Sequence, residues 1–237
     1  MNITLGRSQL RQTATGEAMY LGHLAAGLLL KARVPEAPLG WLLFASIWLD
    51  LLCGVLLMLR VEHLVFDGPL TYAHVRADVD YSHALSTSLV SALAFAVLGG
   101  IRWRKRRIML ALALATLSHF MLDALSHRPD MAVLGFGASR DIHLGSNLAL
   151  YPIAFFCVEF AWCMFVCRVF DATNRRLFVT TLGLFVVYTN MVFGVVPVPA
   201  MTGPQFGAFM IVVFAATTAV LLWAIRRSGS RAPAHLR

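Results

Sequence analysis

The sequence predicts an all-α protein, an integral membrane helical bundle of about seven transmembrane helices. Of its 237 residues, 59% are hydrophobic and only 14% are charged, whereas soluble domains average about 45–50% apolar and about 25% charged residues. The stretch 177–225 contains no Lys, Arg, Asp, Glu or His, and it is long enough for two spans of roughly 20 residues each. These features argue against a soluble enzyme, a disordered tail and a secreted disulfide scaffold.

Seven apolar segments follow one another along the chain, at 18–30, 38–59, 84–101, 108–126, 148–167, 177–198 and 205–225. Each later segment is long enough to span, and Pro197 and Pro199 end the sixth. The first segment reaches only about 20 Å at 1.5 Å per residue, so we expect a short or re-entrant helix there. We predict one transmembrane domain over 18–226, with an extracytoplasmic tail over 1–17 and a basic cytoplasmic tail over 227–237.

The basic residues indicate the orientation of the bundle. Arg102, Arg104, Lys105, Arg106 and Arg107 fill the short connection between the third and fourth segments. Short loops rich in Lys and Arg stay in the cytoplasm, and alternation then places the cluster at 168–176 and the C-terminal tail on the same side. Because the basic clusters are short and separated by apolar runs, they fit membrane topology, and we expect no nucleic-acid partner.

Acidic residues and histidines concentrate toward the opposite, extracytoplasmic side. A carboxylate at the centre of a spanning helix costs roughly 2.5–3.5 kcal/mol, so such residues usually face the bundle interior and mark a functional site. Five segments bring side chains of the metal-ligand type toward one membrane level: His23, Asp50, His83, His119 with Asp123 and His127, and Glu159.

The fourth segment has the most specific spacing. His119 and Asp123 are one turn apart and share a helix face, so together they can hold one divalent metal. His127 is rotated by about 80° from His119 and is predicted at the mouth of the site, since Pro129 ends the helix. The alternative is a His–Asp hydrogen bond that only packs helices.

Two other positions are interpreted from their place in the segments. Ser82 is a candidate N-cap of the third helix, which places His83 in its first turn as a ligand or as an ordinary interfacial histidine. Glu159 is either a catalytic carboxylate or a hydrogen-bonding group inside the bundle.

The donor set indicates the chemistry. Imidazoles and carboxylates without thiolates suit zinc, or manganese and iron. The four cysteines all lie in apolar runs, where we expect buried free thiols. A bound metal activates water and polarises a carbonyl or phosphoryl oxygen, and two metals would favour phosphoester cleavage. A spare carboxylate, Asp50 or Glu159, can act as general base. A site near the outer leaflet predicts a lipid or lipid-linked substrate.

Two other functions use the same residues. A transporter would use the acids and histidines as an ion pathway, but it predicts ionisable residues through the whole membrane thickness, and the inner halves of the segments hold almost none. A non-catalytic structural or assembly subunit would keep the metal for folding, with the uncharged segments five to seven supplying its contacts.

The motifs resemble those of the bacterial membrane-bound, metal-dependent hydrolase-like proteins, the YdjM-like group. The matching pieces are Gly22–His23, Trp48–Leu49–Asp50, Tyr81–Ser82–His83, the His119-x3-Asp123 motif and the run from Ala124 to Asp130. The similarity covers roughly residues 19–165. It departs from the family pattern at Ala84, where a hydroxyl residue is usual, and at His143–Asn147, where one branch carries a different stretch.

The resemblance implies a metal centre at His23, Asp50, His83, His119 and Asp123, with His127 as a further candidate. It also implies a bacterial cytoplasmic (inner) membrane location and a distant similarity to zinc-dependent phospholipase C-like helical enzymes, which favours phosphoester chemistry.

Overall fold

The computed structural model describes residues 19–66, 75–127, 129, 131–135 and 142–226. The predicted tails over 1–17 and 227–237 lie outside these residues. The described part is predominantly α-helical, which confirms the predicted fold class. Its eight α-helices are α1 Tyr20–Arg33, α2 Leu39–Ser46, α3 Trp48–Met58, α4 Leu85–Trp103, α5 Arg106–Ser126, α6 Pro152–Asp171, α7 Arg175–Phe193 and α8 Gly203–Arg226.

Five helices, α4 to α8, are long and apolar enough to cross a membrane. The pair α2 and α3 passes the same test as one broken span, bent by 53°. Helix α1 has only 14 residues, in keeping with the short first segment expected from the sequence. The chain is therefore a multi-pass membrane protein, with α1 shorter than the five spanning helices α4 to α8.

The outer surface of the bundle is apolar and its interior holds the polar groups. Large aliphatic side chains are exposed on several spanning helices, among them Val90, Leu93, Ile101, Val186 and Val212. On a soluble protein an apolar surface of this extent would be unusual, whereas in a membrane it faces lipid. The buried histidines and carboxylates described below therefore sit inside the bundle and away from lipid.

The packing order of the helices places α1 at the centre of one half of the bundle. Helix α1 packs against α2, α5 and α6, while α5 also packs against α2 and α4. Helix α8 packs against α3 and α7. The crossing of α3 and α8 is especially close, because a Cβ added at Gly54 would lie 3.0 Å from the Gly207 carbonyl oxygen. Small residues allow such close approach of membrane helices.

Two short β-hairpins, which the sequence did not predict, lie in the loops at one end of the bundle. Strand β1 (His63–Phe66) pairs antiparallel with β2 (Val75–Asp78), and β3 (Met131–Ala132) pairs with β4 (His143–Leu144). The first hairpin rests on α8. A 3-10 turn over Leu148–Leu150 leads into α6.

Candidate metal centre

Five buried side chains from four parts of the chain meet near the hairpin end of the bundle. We call them the His/Asp cluster: His23 on α1, Asp50 on α3, His83 just before α4, and His119 and Asp123 on α5. None of the five is more than 5% exposed. The structure thus brings together five of the six metal ligands predicted from the sequence.

Asp123 lies at the middle of the cluster. Its Oδ1 is 3.1 Å from His23 Nε2, and its Oδ2 is 3.1 Å from His119 Nε2 and 3.8 Å from His83 Nε2. Asp50 faces two of the same rings, at 3.6 Å from His83 Nε2 and 3.8 Å from His119 Nε2. Two ligands at about 2.1 Å from one tetrahedral ion lie about 3.4 Å apart, and the observed spacings bracket that value.

Two groups of donors have their ligand atoms close enough to hold a metal ion. One is His23, His119 and Asp123, and the other is Asp50, His83 and His119. His119 belongs to both groups, but only its Nε2 faces the carboxylates. The geometry therefore allows one ion shared by the cluster, or two ions of which His119 binds one.

The hydrogen bonds on the far side of the rings define which nitrogen carries the proton. His119 Nδ1 lies 2.8 Å from the carbonyl oxygen of Ser46. A carbonyl oxygen only accepts, so Nδ1 donates and the neutral ring presents a lone pair at Nε2. The Nε2 lone pair points at a carboxylate, which is unfavourable unless a proton or a cation lies between them.

A cation satisfies this arrangement better than protons do. Among the described residues, both oxygens of Asp123 and the Nε2 atoms of His23 and His119 have no hydrogen-bond partner despite their burial. Buried polar atoms rarely remain unpaired. One proton would join a single ring to Asp123, whereas this carboxylate faces three rings, so the donor set fits a divalent cation.

The break between α2 and α3 positions two members of the cluster. The last carbonyl groups of a helix lack intrahelical partners, and the Ser46 carbonyl at the end of α2 is therefore free to accept from His119. Helix α3 restarts at Trp48 and carries Asp50 in its first turn, where a carboxylate is stabilised by the helix dipole. The sequence predicted one continuous span here, and no Pro or Gly marks the break at Ile47.

A buried carboxylate that sequence reasoning missed, Glu62, supports His83. Its Oε2 accepts from Ser82 Oγ at 2.8 Å, and its Oε1 accepts from the backbone amides of Tyr81 and Ser82 at 3.0 and 2.6 Å. Since the single Ser82 hydroxyl proton points to Glu62, Ser82 Oγ accepts from His83 Nδ1 at 2.8 Å. This leaves the Nε2 lone pair of His83 facing Asp50.

The prediction that Ser82 is the N-cap of the third spanning helix is wrong. The residue at that position is Ala84, and no side chain caps α4. Ser82 is instead buried between Glu62 and His83. The sequence shows a hydroxyl near a helix start. Only the packing of the preceding loop shows that this hydroxyl binds the Glu62 carboxylate and does not cap the helix.

Glu159 lies beside the cluster and holds the start of α1. Its Oε1 accepts from the amides of Leu21 and Gly22 at 2.7 and 2.8 Å, which are among the first amides of α1 and lack intrahelical acceptors. Met19, the N-cap residue, supplies no side-chain cap. These contacts favour the expectation of a hydrogen-bonding group inside the bundle, and they orient the turn that carries His23.

His127 is buried next to the cluster but is not in either group of possible ligands. Its ring lies 6.3 Å from that of His83. The loop before α6 holds the end of α5, because the amide of Asn147 donates to the His127 carbonyl at 2.9 Å and Ser146 Oγ donates to the Leu125 carbonyl. His127 therefore lies at the edge of the cluster, and its role as a metal ligand stays a prediction.

An apolar cavity of about 330 Å³ extends from the cluster. Asp50, His83 and His127 line it at the cluster, and α7 and α8 supply much of the rest. The α7 residues are Leu184, Val187, Tyr188 and Met191, and the α8 residues are Phe206, Phe209, Met210, Val213, Phe214 and Thr217. Sequence reasoning did not place α7 and α8 at the site, because they carry no charged residue near it.

Comparison with known proteins adds no assignment: no family model, curated protein or solved structure matches this chain.

Proposed function

We propose that this protein is a membrane-embedded, metal-dependent hydrolase that cleaves a phosphoester or ester of a lipid or lipid-linked substrate. The observation that carries the proposal is that buried imidazoles and carboxylates converge at one wall of an apolar cavity. We further propose that the site opens on the extracytoplasmic side of a bacterial inner membrane, opposite the basic loops.

The donor chemistry favours zinc, with manganese and iron as alternatives. A divalent cation at the cluster would lower the pKa of water to about 7 and polarise the oxygen of the bond to be cleaved. His23, His119 and Asp123 are the inner donors, because all three are fully buried. Asp50 and His83 belong to the second group and also reach the cavity.

Asp50 is the best placed general base among the described carboxylates. It lines the cavity, which Asp123 and Glu159 do not, so a substrate in the cavity can meet its carboxylate. A water held between Asp50 and the substrate would lose its proton to an Asp50 oxygen. His127 also lines the cavity, from where a proton on its ring can reach the leaving oxygen.

The distribution of the buried ionisable groups argues against a transport pathway. The buried histidines and acids of the described residues include the cluster, Glu62, His127 and Glu159. Glu159 reaches the first turn of α1, and the others lie in or next to the cluster. An ion pathway would need such groups across the bundle.

Metal analysis of the purified protein in lipid nanodiscs tests the proposal. We expect the wild type to hold one or two zinc ions per chain, and His119→Gln with Asp123→Asn to hold essentially none. Exposed His63→Ala is the matched control and should keep its metal. Glu159→Gln, which keeps an oxygen acceptor for the α1 amides, should also keep it.

The same samples then test hydrolysis. Vesicles of phosphatidylethanolamine and phosphatidylglycerol are incubated with each variant, and released phosphate-containing head groups and free fatty acids are measured. Head-group release indicates phosphoester cleavage, and fatty-acid release indicates ester cleavage. Negligible metal in both the wild type and the double variant would rule out the proposed chemistry.

A further inference from the structure

We infer that the apolar cavity binds one acyl chain of a membrane glycerolipid and thereby presents the bond to be cleaved to Asp50, His83 and His127. The inference rests on the proposed function, since it names the substrate class of the same site. It concerns residues of α7 and α8 to which neither motif nor composition assigns a role.

The lining of the cavity determines what it can hold. Apart from the residues at the cluster, its walls are almost entirely aliphatic, aromatic and thioether side chains. The hydroxyl of Tyr20 is already engaged with Thr217 and with the Val213 carbonyl. A polar ligand would lose its hydration there without finding partners, whereas a hydrocarbon chain would exchange one apolar environment for another.

The size of the cavity points to one chain. Its volume of about 330 Å³ far exceeds the small voids of a close-packed interior. Along α8 it runs from Phe206 to Thr217, roughly 16 Å at 1.5 Å per residue. This is about half of a hydrocarbon core of about 30 Å, the depth that an acyl chain of one leaflet occupies. A polyprenyl chain long enough to cross the bilayer would not fit within that length.

The cavity also has a route to the bilayer. Val187 on α7 lines the cavity and is nevertheless 72% exposed. A side chain with both properties lies at an opening, so the cavity reaches the lipid-facing surface beside α7. Met191 and Met210 at the walls are flexible and polarisable, and such side chains adapt to chains of different shape.

The head group would then lie at the cluster. Asp50, His83 and His127 are the charged and imidazole side chains that line the cavity, so a lipid whose acyl chain lies against α7 and α8 would place its polar end at these residues. One tail in the cavity and one in the bilayer would position a glycerolipid with its ester and phosphoester bonds near the metal ligands. A lipid bound in this way would hold the bond to be cleaved next to the reacting groups, which lowers the entropic cost of bringing them together.

Photo-crosslinking tests the inference. The protein is reconstituted in nanodiscs of phosphatidylethanolamine and phosphatidylglycerol that contain a phosphatidylglycerol with a diazirine on its acyl chain. After irradiation, adducts are located by peptide mass spectrometry. We expect adducts on the cavity-facing residues of α7 and α8. Val213→Trp should reduce them at least about tenfold, the effect of losing roughly two buried methylenes.

Matched controls come from the same helices. Val212→Trp places the same bulk next to Val213 but on the exposed face of α8, and the adducts should be unchanged. Leu184→Trp on the cavity wall and Val186→Trp on the exposed face of α7 form a second pair, used if Val213→Trp does not fold. Adducts spread evenly over the exposed faces and insensitive to both cavity variants would overturn the inference, as would preferential displacement of the probe by a polyprenyl phosphate.

The test separates this inference from the proposed function. His119→Gln with Asp123→Asn lacks two of the five proposed metal donors but leaves the cavity walls intact, so its cavity adducts should persist. Cavity adducts in a wild type that holds no metal and releases no product would overturn the proposed function alone. Metal and turnover without cavity adducts would overturn this inference alone.

Discussion

At the scale of single residues, the orientation of the histidines in the cluster depends on hydrogen bonds that their Nδ1 atoms make outside it. His119 and His83 each donate from Nδ1, to a backbone carbonyl and to a serine hydroxyl, and each presents Nε2 to the carboxylates. Partners of this kind fix the tautomer and orientation of metal-binding histidines. The cluster could therefore hold a cation without a change of tautomer at these two rings.

Glu62 provides the most specific residue-scale prediction. In Glu62→Gln the side-chain NH2 group can take the place of the oxygen that accepts the Ser82 hydroxyl proton. The hydroxyl must then rotate, and its oxygen no longer accepts from His83 Nδ1. We expect the metal dissociation constant to rise about 10–100-fold. Metal titration of the purified protein measures this change.

The control is Glu36→Gln. Glu36 lies between α1 and α2, 3.8 Å from Arg107 and away from the cluster, and its substitution should leave the affinity unchanged. The unfolding temperatures of the metal-free wild type and the metal-free Glu62→Gln variant show whether a loss of affinity comes from a misplaced His83 or from a destabilised fold. An unchanged metal affinity in a folded Glu62→Gln variant would show that the hydrogen bonds from Glu62 through Ser82 do not orient His83.

At the scale of elements, the α3–α8 crossing joins the His/Asp cluster to the cavity. Helix α3 carries Asp50, and helix α8 carries six of the residues that line the cavity. Their separation is determined by Gly54 and Gly207, whose backbones meet without side chains between them. The distance between Asp50 on α3 and the cavity wall on α8 therefore depends on two glycines.

Gly207→Ala should destabilise the protein measurably. The new methyl group would overlap the Gly54 carbonyl oxygen, so the helices must separate, and overpacking of this kind costs about 1–3 kcal/mol. Gly183→Ala on α7 is the control, because a Cβ there meets nothing within 4 Å, and helix propensity favours alanine by about 1 kcal/mol. Unfolding free energies in detergent micelles measure both, and equal values for the two variants would contradict the close crossing.

At the scale of the whole molecule, the two ends of the bundle differ in charge. The helix ends away from the cluster carry the basic connections, such as Arg102–Lys105 between α4 and α5 and Arg175–Arg176 at the start of α7. The helix ends near the cluster carry the hairpins and the buried acids. Such asymmetry is the usual determinant of orientation in membrane proteins.

Reporter fusions expressed in a bacterium test the orientation. We expect green fluorescent protein fused after Arg226 to fluoresce, because that end is predicted in the cytoplasm. Alkaline phosphatase fused after Ala200, before α8, should be active, because the loop between α7 and α8 is predicted outside. The reverse pattern would place the cluster on the cytoplasmic side and would contradict the predicted orientation.

The sequence by itself determined the membrane class and the helical fold, and it predicted the five side chains that meet in the His/Asp cluster. These follow from local properties, since apolar length defines spans and the free-energy cost of a charge in lipid marks the residues that must be buried inside the bundle. The pairing of His119 with Asp123 could be predicted because both lie on one helix, where the spacing determines the face.

Only the tertiary structure decided the break at Ile47, the support of His83 by Glu62, the capping of α1 by Glu159 and the cavity beside α7 and α8. Each of these joins parts of the chain that are distant in sequence. Ser46 accepts from a ring 73 positions later, and Glu159 binds amides 137 and 138 positions earlier. Periodicity and composition carry no information about such pairings, because the pairings arise only when the helices pack.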